Sequence, residues 1–258
     1  MKFRFSLSSV LLVTMVLKLA ATLAVHSQDK PDIAKAIDAV DTLYRAESSY
    51  ALMEMEITTP HWQRTLQMKA WSEGTDKTFI RLLEPQKERG VATLRIGSEM
   101  WNYLPKVQKT MRIPPSMMMS SWMGSDFTND DLVKEFSFTE DYSFQYASVE
   151  KPEPGRLYIK CTPKEGRPIV WGYVILEIDY DSLLPRSEKY FDDKGKLMRV
   201  MSFKDVRLLG GRRIPSVLEL IPQNKQGQKT VVRYLEAEFN ISIPSETFTR
   251  RNLLNFRG

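Results

Sequence analysis

Cysteine and histidine are almost missing from this 258-residue sequence: there is one cysteine, Cys161, and there are two histidines. One cysteine closes no internal disulfide and supplies no thiolate cluster for zinc, so Cys161 is expected to be buried and poorly reactive. His26 falls inside an N-terminal stretch with the features of an export signal, which leaves His61 as the one imidazole of the remaining chain. A His-rich metal site is therefore excluded, and any Ser-His-Asp relay would have to run through His61. His61 follows Pro60 and precedes Trp62, a turn context, and packing there is expected rather than catalysis. Ser116, Ser120 and Ser121 lie near Asp126 in sequence, but the nucleophile-elbow pattern G-x-S-x-G is absent. No metal, no cofactor and no enzymatic activity are expected.

Long apolar runs are equally scarce. The first 27 residues hold the main one: Lys2 and Arg4 form a basic start, Leu7 to Leu17 an apolar stretch, and Val25-His26-Ser27 a small-residue exit before Gln28. Lys18 interrupts that run well short of the ~20 residues a membrane-spanning helix needs. A cleaved signal over residues 1–27 and a periplasmic domain over 28–258 are expected, the other reading being an uncleaved anchor. A lipobox would need a cysteine just after the apolar stretch, and none is there. Charge of one sign is lacking too. Losing Lys2, Arg4 and Lys18 with the signal takes the basic count from 37 to 34 against 32 acidic residues, a net charge of +2. The basic residues are spread among acids rather than gathered in a stripe, so nucleic acid is not an expected partner.

What the sequence does have is periodicity. PDIAKAIDAVDTLYRAE places Ile33, Ile37, Val40 and Leu43/Tyr44 on one face of a helix, with Pro31 suited to its first turn. Beyond it the pattern changes to period two. Ala51, Met53, Met55 and Ile57 oppose Glu54 and Glu56, and Val174, Leu176 and Ile178 oppose Glu177 and Asp179. Further strand runs are predicted over 66–71, 78–83, 91–96, 100–104, 111–113, 157–161, 186–191, 197–206, 213–221 and 230–239. Glycine-bearing turns at 72–75, 192–195, 209–212 and 224–227 join them. Roughly eleven short strands without helical crossovers predict one antiparallel meander, in a mainly β (α+β) chain without a linker or an internal repeat. A sheet of that width must curl into a barrel or fold over itself, which leaves space for a ligand and a post for helices as plugs.

One stretch resists a purely structural account. MMMSSWMGSDFTNDDL, residues 117–132, places four methionines and a tryptophan within seven residues, directly after Pro114 and Pro115. Methionine's rotatable bonds specify packing poorly and suit a surface that repacks around a guest. Thr128 fits a helix N-cap with Asp131 at N3, ahead of Leu132, Val133 and Phe136, and the carboxylates suit the positive helix end. A calcium site is the weaker reading of the acids, because the EF-hand spacing is absent. The segment is expected to form a lid helix over the sheet, the alternative being an ordinary helix packed permanently, with Gly124 as a stop or hinge.

Met100-Trp101-Asn102-Tyr103-Leu104-Pro105, the basic Lys109 to Arg112, Ile113-Pro114 and the run from Ser121 to Leu132 together resemble the outer-membrane lipoprotein-sorting, LolA-like superfamily. Tyr190-Phe191-Asp192 ahead of a glycine hairpin and Arg213-Ile214-Pro215 on the next strand continue the resemblance, which covers most of the chain after the signal. It implies a single, strongly curved antiparallel sheet forming an incomplete barrel with helices over its mouth. It also implies an apolar cavity for acyl chains and a non-enzymatic role: some members ferry lipoproteins across the periplasm, others sense envelope stress. The chain is longer than the well-known sorting carrier, and none of that carrier's residues is carried over. Read this way, Met117, Met118, Trp122 and Met123, with the Ile33 to Tyr44 helix, form the lid, and Met53, Met55, Trp71, Trp101 and Tyr103 are candidate walls. The expected partners are lipoprotein acyl chains or another lipid and an inner-membrane transporter, and a monomer is expected. A sensing or docking module that regulates an inner-membrane partner is the second reading, and a hydrolase of envelope lipid the remotest.

Overall fold

The computed structural model describes residues 32–255 apart from 45, 134–136 and 168. The expected signal at 1–27, and Phe136, lie outside these residues. Helix α1 (Ile33–Thr42) comes first, followed by β1 (Ser48–Thr58), β2 (Gln63–Glu73), β3 (Lys77–Glu84), β4 (Ala92–Ile96), β5 (Glu99–Leu104) and β6 (Lys109–Arg112). A connector then carries one 3-10 turn (Pro115–Met117) and two short helices, α2 (Asn129–Val133) and α3 (Phe138–Asp141). Next come β7 (Tyr142–Tyr146), β8 (Arg156–Pro163), β9 (Tyr173–Asp179), β10 (Pro185–Phe191), β11 (Leu197–Leu209), β12 (Arg212–Pro222) and β13 (Lys229–Phe239). A further 3-10 turn (Ser245–Phe248) and α4 (Arg250–Leu254) follow, and another 3-10 turn (Pro105–Val107) joins β5 to β6.

All thirteen strands belong to one sheet, ordered β6-β5-β4-β3-β2-β1-β13-β12-β11-β10-β9-β8-β7. It consists of two antiparallel meanders joined where the first strand meets the last, with Met55 opposite Val232 and Ile57 opposite Thr230. The sheet is open, and its two edges, β6 and β7, are consecutive in sequence. The connector must therefore leave one edge and enter the other. The expected meander is present, and each predicted run meets a strand. β7 is the strand that the periodicity missed: YSFQY follows α3 without a turn signal. Gly210 and Gly211, at φ of 54° and 79°, make the tight turn from β11 to β12, where two consecutive positive φ values match the twist of the flanking strands.

Cross-strand register fixes which side chains share a face. Ile57, Thr230, Leu220, Met201, Glu188, Leu176 and Ile159 are successive partners across seven strands, β1 to β13 and on to β8. This row lies on the inner face, under α1 and the connector. On the outer face of β2–β5 the C-terminal segment supplies Phe248 and Leu253, which pack with Phe79, Leu94, Trp101 and Tyr103.

Candidate ligand-binding cavity

The inner face is covered in two places. Over β7–β10, α1 sets Ala36 and Ile37, both fully buried, against Phe138, Tyr142, Ile159, Val174 and Leu176. Over β1–β5 and β13, the connector sets Ile113, Met118, Trp122, Met123, Phe127 and Leu132 against Met53, Met55, Leu66, Met68, Leu82, Met100 and Val232. Trp122 is the centre of this second cover, at 2% exposure. Its Nε1 donates to Thr93 Oγ1 at 3.1 Å, and Thr93 Oγ1 donates in turn to Asn102 Oδ1 at 2.7 Å, so the one polar atom of the indole is satisfied.

The methionine stretch is not the lid helix that its composition suggested. After the single 3-10 turn it runs as turns, held by Trp122 N–H to Phe127 O at 2.7 Å, Asn129 N–H to Ser120 O at 3.0 Å and Asp130 N–H to Met118 O at 2.7 Å. Pro114 and Pro115 restrict its entry, and Met123 and Gly124 take positive φ values of 52° and 77°, which a helix cannot accommodate. The helix that does form starts as expected. Asp131 N–H donates to Thr128 Oγ1 at 3.1 Å, while Thr128 N–H donates to Asp131 Oδ2 at 2.8 Å, a reciprocal cap.

Polar contacts tie this cover to the sheet. Arg64 of β2 donates to Met123 O and, at 2.9 Å, to Glu88 Oε1. Thr230 of β13 donates to Asp126 Oδ2 at 2.8 Å and accepts from Asp126 N–H at 2.9 Å. The strongest tie is Arg199 of β11, which donates through Nη1 and Nη2 to both oxygens of Asp131, each at 2.8 Å. Its guanidinium lies 4.3 Å from the Tyr190 ring centre and 4.5 Å from that of Trp171. Burial works to raise Asp131, but hydrogen bonds from Arg199 and Thr128 hold it below the usual carboxylate range. Asp41 of α1 makes a second link: it accepts from Ser137 Oγ at 2.9 Å and from the N–H groups of Phe138 and Thr139 at 2.8 and 2.9 Å, capping α3.

Between α1 and the sheet a space of about 290 Å³ remains, lined by Val40, Leu43, Tyr44, Phe138, Tyr142, Met201 and Phe203, with Asp41, Asp131 and Glu188 among them. Glu188, at 7% exposure, is the one ionisable member of the buried row described above. Burial pushes its carboxyl up to about 7; Tyr190's hydrogen bond and the Arg199 charge oppose the rise, and Asp41 and Asp131 add to it. A wider cleft of about 740 Å³ lies beside the connector, lined by Ile113, Pro115, Met118, Met119, Ile169 and Val170, with Arg95, Arg112 and Arg167 also in its wall.

The residues singled out from sequence fall into three groups. Met53, Met55, Met118, Trp122 and Met123 share one buried cluster. Met117 is 47% exposed. Trp71, Trp101 and Tyr103 are not brought to the same wall: they pack with Phe248 and Leu253 on the other side of the sheet, because they alternate with Ala70, Met100 and Leu104, which face inward. His61 sits exposed in the β1–β2 turn, its N–H donating to Thr59 Oγ1 at 3.3 Å. Cys161 is buried and free, as its solitary occurrence suggested, and burial pushes its thiol up. Sequence reasoning missed Asp41, Glu188, Tyr190 and Arg199, which meet only in the folded chain.

An open antiparallel sheet with its inner face covered by separate segments defines the fold class, and three crystal structures share it. A DUF1329 family protein from Desulfovibrio piger aligns with a TM-score of 0.75 at 21% identity, over 85% of this chain and 97% of that one. A protein domain described as outer membrane lipoprotein-sorting, from Vibrio parahaemolyticus, aligns at 0.70 and 21%, over 86% and 95%. A LolA superfamily protein from Nitrosomonas europaea aligns at 0.68 and 19%, over 84% and 97%. No curated protein matches the chain in sequence. A family model described as "Uncharacterized protein" matches residues 74–255. The chain belongs to that family, and its fold is the LolA-like incomplete barrel.

Proposed function

We propose that this protein is a non-enzymatic carrier of the bacterial periplasm, which holds the acyl chains of a lipoprotein or another lipid against the inner face of its sheet. The observation that carries the reading is the unfilled space under α1, on an apolar face covered by separable segments. The recess opens to solvent and its wall is mostly apolar, the kind of concave surface that small amphiphiles occupy. The resemblance to the Vibrio lipoprotein-sorting domain and to the LolA superfamily protein supports the reading. The basic, apolar and small-residue order of residues 2–27 supports export. Cargo enters by displacing Met118, Trp122 and Met123 from Met53, Met55 and their neighbours, and leaves when the cover returns, at a membrane or at an inner-membrane transporter.

Native mass spectrometry of the protein from its own periplasm, with organic extraction of what accompanies it, tests this directly. A co-purifying lipid or lipoprotein in near-equal molar ratio is expected; a protein that is empty and also ignores added lipid refutes it. A second test staples the cover. Cysteines at Asp126 and Thr230, which already touch, with Cys161→Ser to remove the native thiol, should block uptake when oxidised and restore it when reduced.

One observation favours a docking or sensing module instead. Met117 and Met119 are about half exposed beside the larger cleft, and adaptable methionine surfaces suit protein partners. A stable complex with an inner-membrane protein in the absence of lipid would decide for that role.

A further inference from the structure

We propose that the inner cavity selects amphiphiles whose polar end donates hydrogen bonds, a hydroxyl or an ammonium, and turns away free carboxylates, with Glu188 as the residue that contacts that end. The inference rests on the carrier reading above and adds a preference of head group to it.

The cavity wall holds three carboxyl side chains, Asp41, Asp131 and Glu188, and no lysine, arginine or histidine. Two of the three are committed. Asp41 is spent on Ser137 and the first N–H groups of α3, and Asp131 on Arg199 and Thr128. Glu188 is different. Its Oε2 accepts from Tyr190 Oη, and no described residue donates to its other oxygen. It is more than nine-tenths buried, and it stands in the middle of an apolar row, between Met201 on one side and Leu176 on the other. The tyrosine that could have answered it from α1's end is engaged elsewhere, Tyr44 Oη donating to Pro215 O at 2.7 Å.

That oxygen is reachable from the cavity, so a ligand that supplies a donor there gains a hydrogen bond in surroundings of low polarity, where it is stronger than in water. A hydroxyl does so as a neutral group, and an ammonium adds a charge of favourable sign. A carboxylate supplies neither. It would have to lose its hydration beside three acids, with the cation Arg199 already bidentate to Asp131 and packed against two rings. Burial pushes the Glu188 carboxyl up to about 7, so at pH 8 it carries charge, and the discrimination is largest there.

Titration calorimetry at pH 8 with three chain-matched probes, dodecan-1-ol, dodecylammonium and dodecanoate, each below its micelle concentration, tests the inference. The alcohol and the ammonium are expected to bind about tenfold or more tighter than dodecanoate, the factor that one charge-assisted hydrogen bond supplies. Glu188→Gln keeps an acceptor but loses the charge, so it should lower the ammonium's advantage by about tenfold and leave the alcohol nearly unchanged. Dodecanoate binding as tightly as the ammonium overturns the inference while leaving the carrier reading intact. Binding of none of the three overturns both. A Glu188→Gln variant with unchanged ratios removes Glu188 from its assigned role.

Discussion

Replacing Arg199 with methionine should be among the most damaging single changes in this protein, and its cost can be worked from the contacts. The Arg199 and Asp131 side chains are 8% and 13% exposed, paired through two hydrogen bonds of 2.8 Å. Methionine removes the cation without emptying the space. It leaves Asp131 buried with only Thr128 as donor, close to Glu188 and Asp41. Breaking a buried pair in this way costs about 3–5 kcal/mol, because one charge is left uncompensated rather than because the pair itself is so stabilising. In a domain of this size each kcal/mol moves Tm by roughly 2–4 °C, so a fall on the order of 6–20 °C is expected. Asp131→Asn strands the other charge and should cost a similar amount. The double variant should be less damaged than the two single losses added together, with a coupling of at least about 2 kcal/mol in the cycle. Circular dichroism melts of the four proteins supply the numbers. Hydrogen exchange supplies the location, since protection should be lost first around Asp126 to Asp141. A single-variant cost below about 1 kcal/mol, or losses that add within about 0.5 kcal/mol, would refute the argument that this pair fastens the connector to β11.

Glu188 sets a pH dependence. The folded-state value near 7 lies above the ordinary 4.5, so the folded protein holds this proton more tightly than the unfolded chain does. The resulting stability, about 3 kcal/mol, is complete below pH 4.5 and lost as pH rises through 7. The groups around it are Asp41 from α1, Tyr44 just after it, Asp131 from α2, Tyr142 from β7, Cys161 from β8, Tyr190 from β10 and Arg199 from β11. Relative to the wild type, Glu188→Gln should thus gain stability between pH 5 and pH 8 in paired melts, and a constant difference would contradict the assignment. Cys161, buried with its thiol pushed up, should ignore Ellman's reagent at pH 8 until urea unfolds the chain; prompt labelling of the native protein would show the site to be open. Gly172→Ala would set a Cβ 2.4 Å from Asp192 O and should cost roughly 1–3 kcal/mol, seen as a lower Tm; an unchanged melt would mean that this turn has room to spare.

How much of this could be read from the sequence depended on whether a strand showed an apolar face. β1 declares its inner side, with Ala51, Met53, Met55 and Ile57 against Glu54 and Glu56, and the structure puts Met53, Met55 and Ile57 in the inner cluster. β10 does not. In PRSEKYF both alternating sets mix charged and polar residues, so nothing local says that Glu188 and Tyr190 point inward while Lys189 points out. That choice comes from register, from Met201 and Leu176 as neighbours, and register is a property of the whole sheet. β5 misled in the opposite sense. MWNYL carries large apolar or aromatic residues on both sides, and the larger aromatics, Trp101 and Tyr103, proved to belong to the outer cluster built with residues nearly 150 positions away in sequence. The cap at Thr128 was legible because its partner is three residues away, whereas the Arg199–Asp131 pair spans 68 and left no local trace.

The connector's composition bears on how a carrier can both hold and release. A sixteen-carbon chain taken out of water offers on the order of 12 kcal/mol at ~0.8 kcal/mol per methylene, before association is charged against it. Were the inner face bare, that gain would stand almost whole, and a cargo once bound would not leave. Here Met118, Trp122, Met123 and Phe127 occupy the face first. Trp122 is buried and the other three are partly buried, so exposing them costs at most roughly 1.5–3 kcal/mol each. Displacing the cover thus offsets part of the gain and brings release within reach. The irregular backbone of the stretch serves the same end. A helix would have presented one fixed apolar stripe and held itself together when displaced, whereas turns with Met123 and Gly124 at positive φ are stable only while anchored to Thr93, Arg64 and Thr230. Those anchors are polar, as is the Arg199–Asp131 pair that fastens the far end of the connector, so on the carrier reading whatever loads or unloads the cavity has to compete for these polar contacts to free the methionines together.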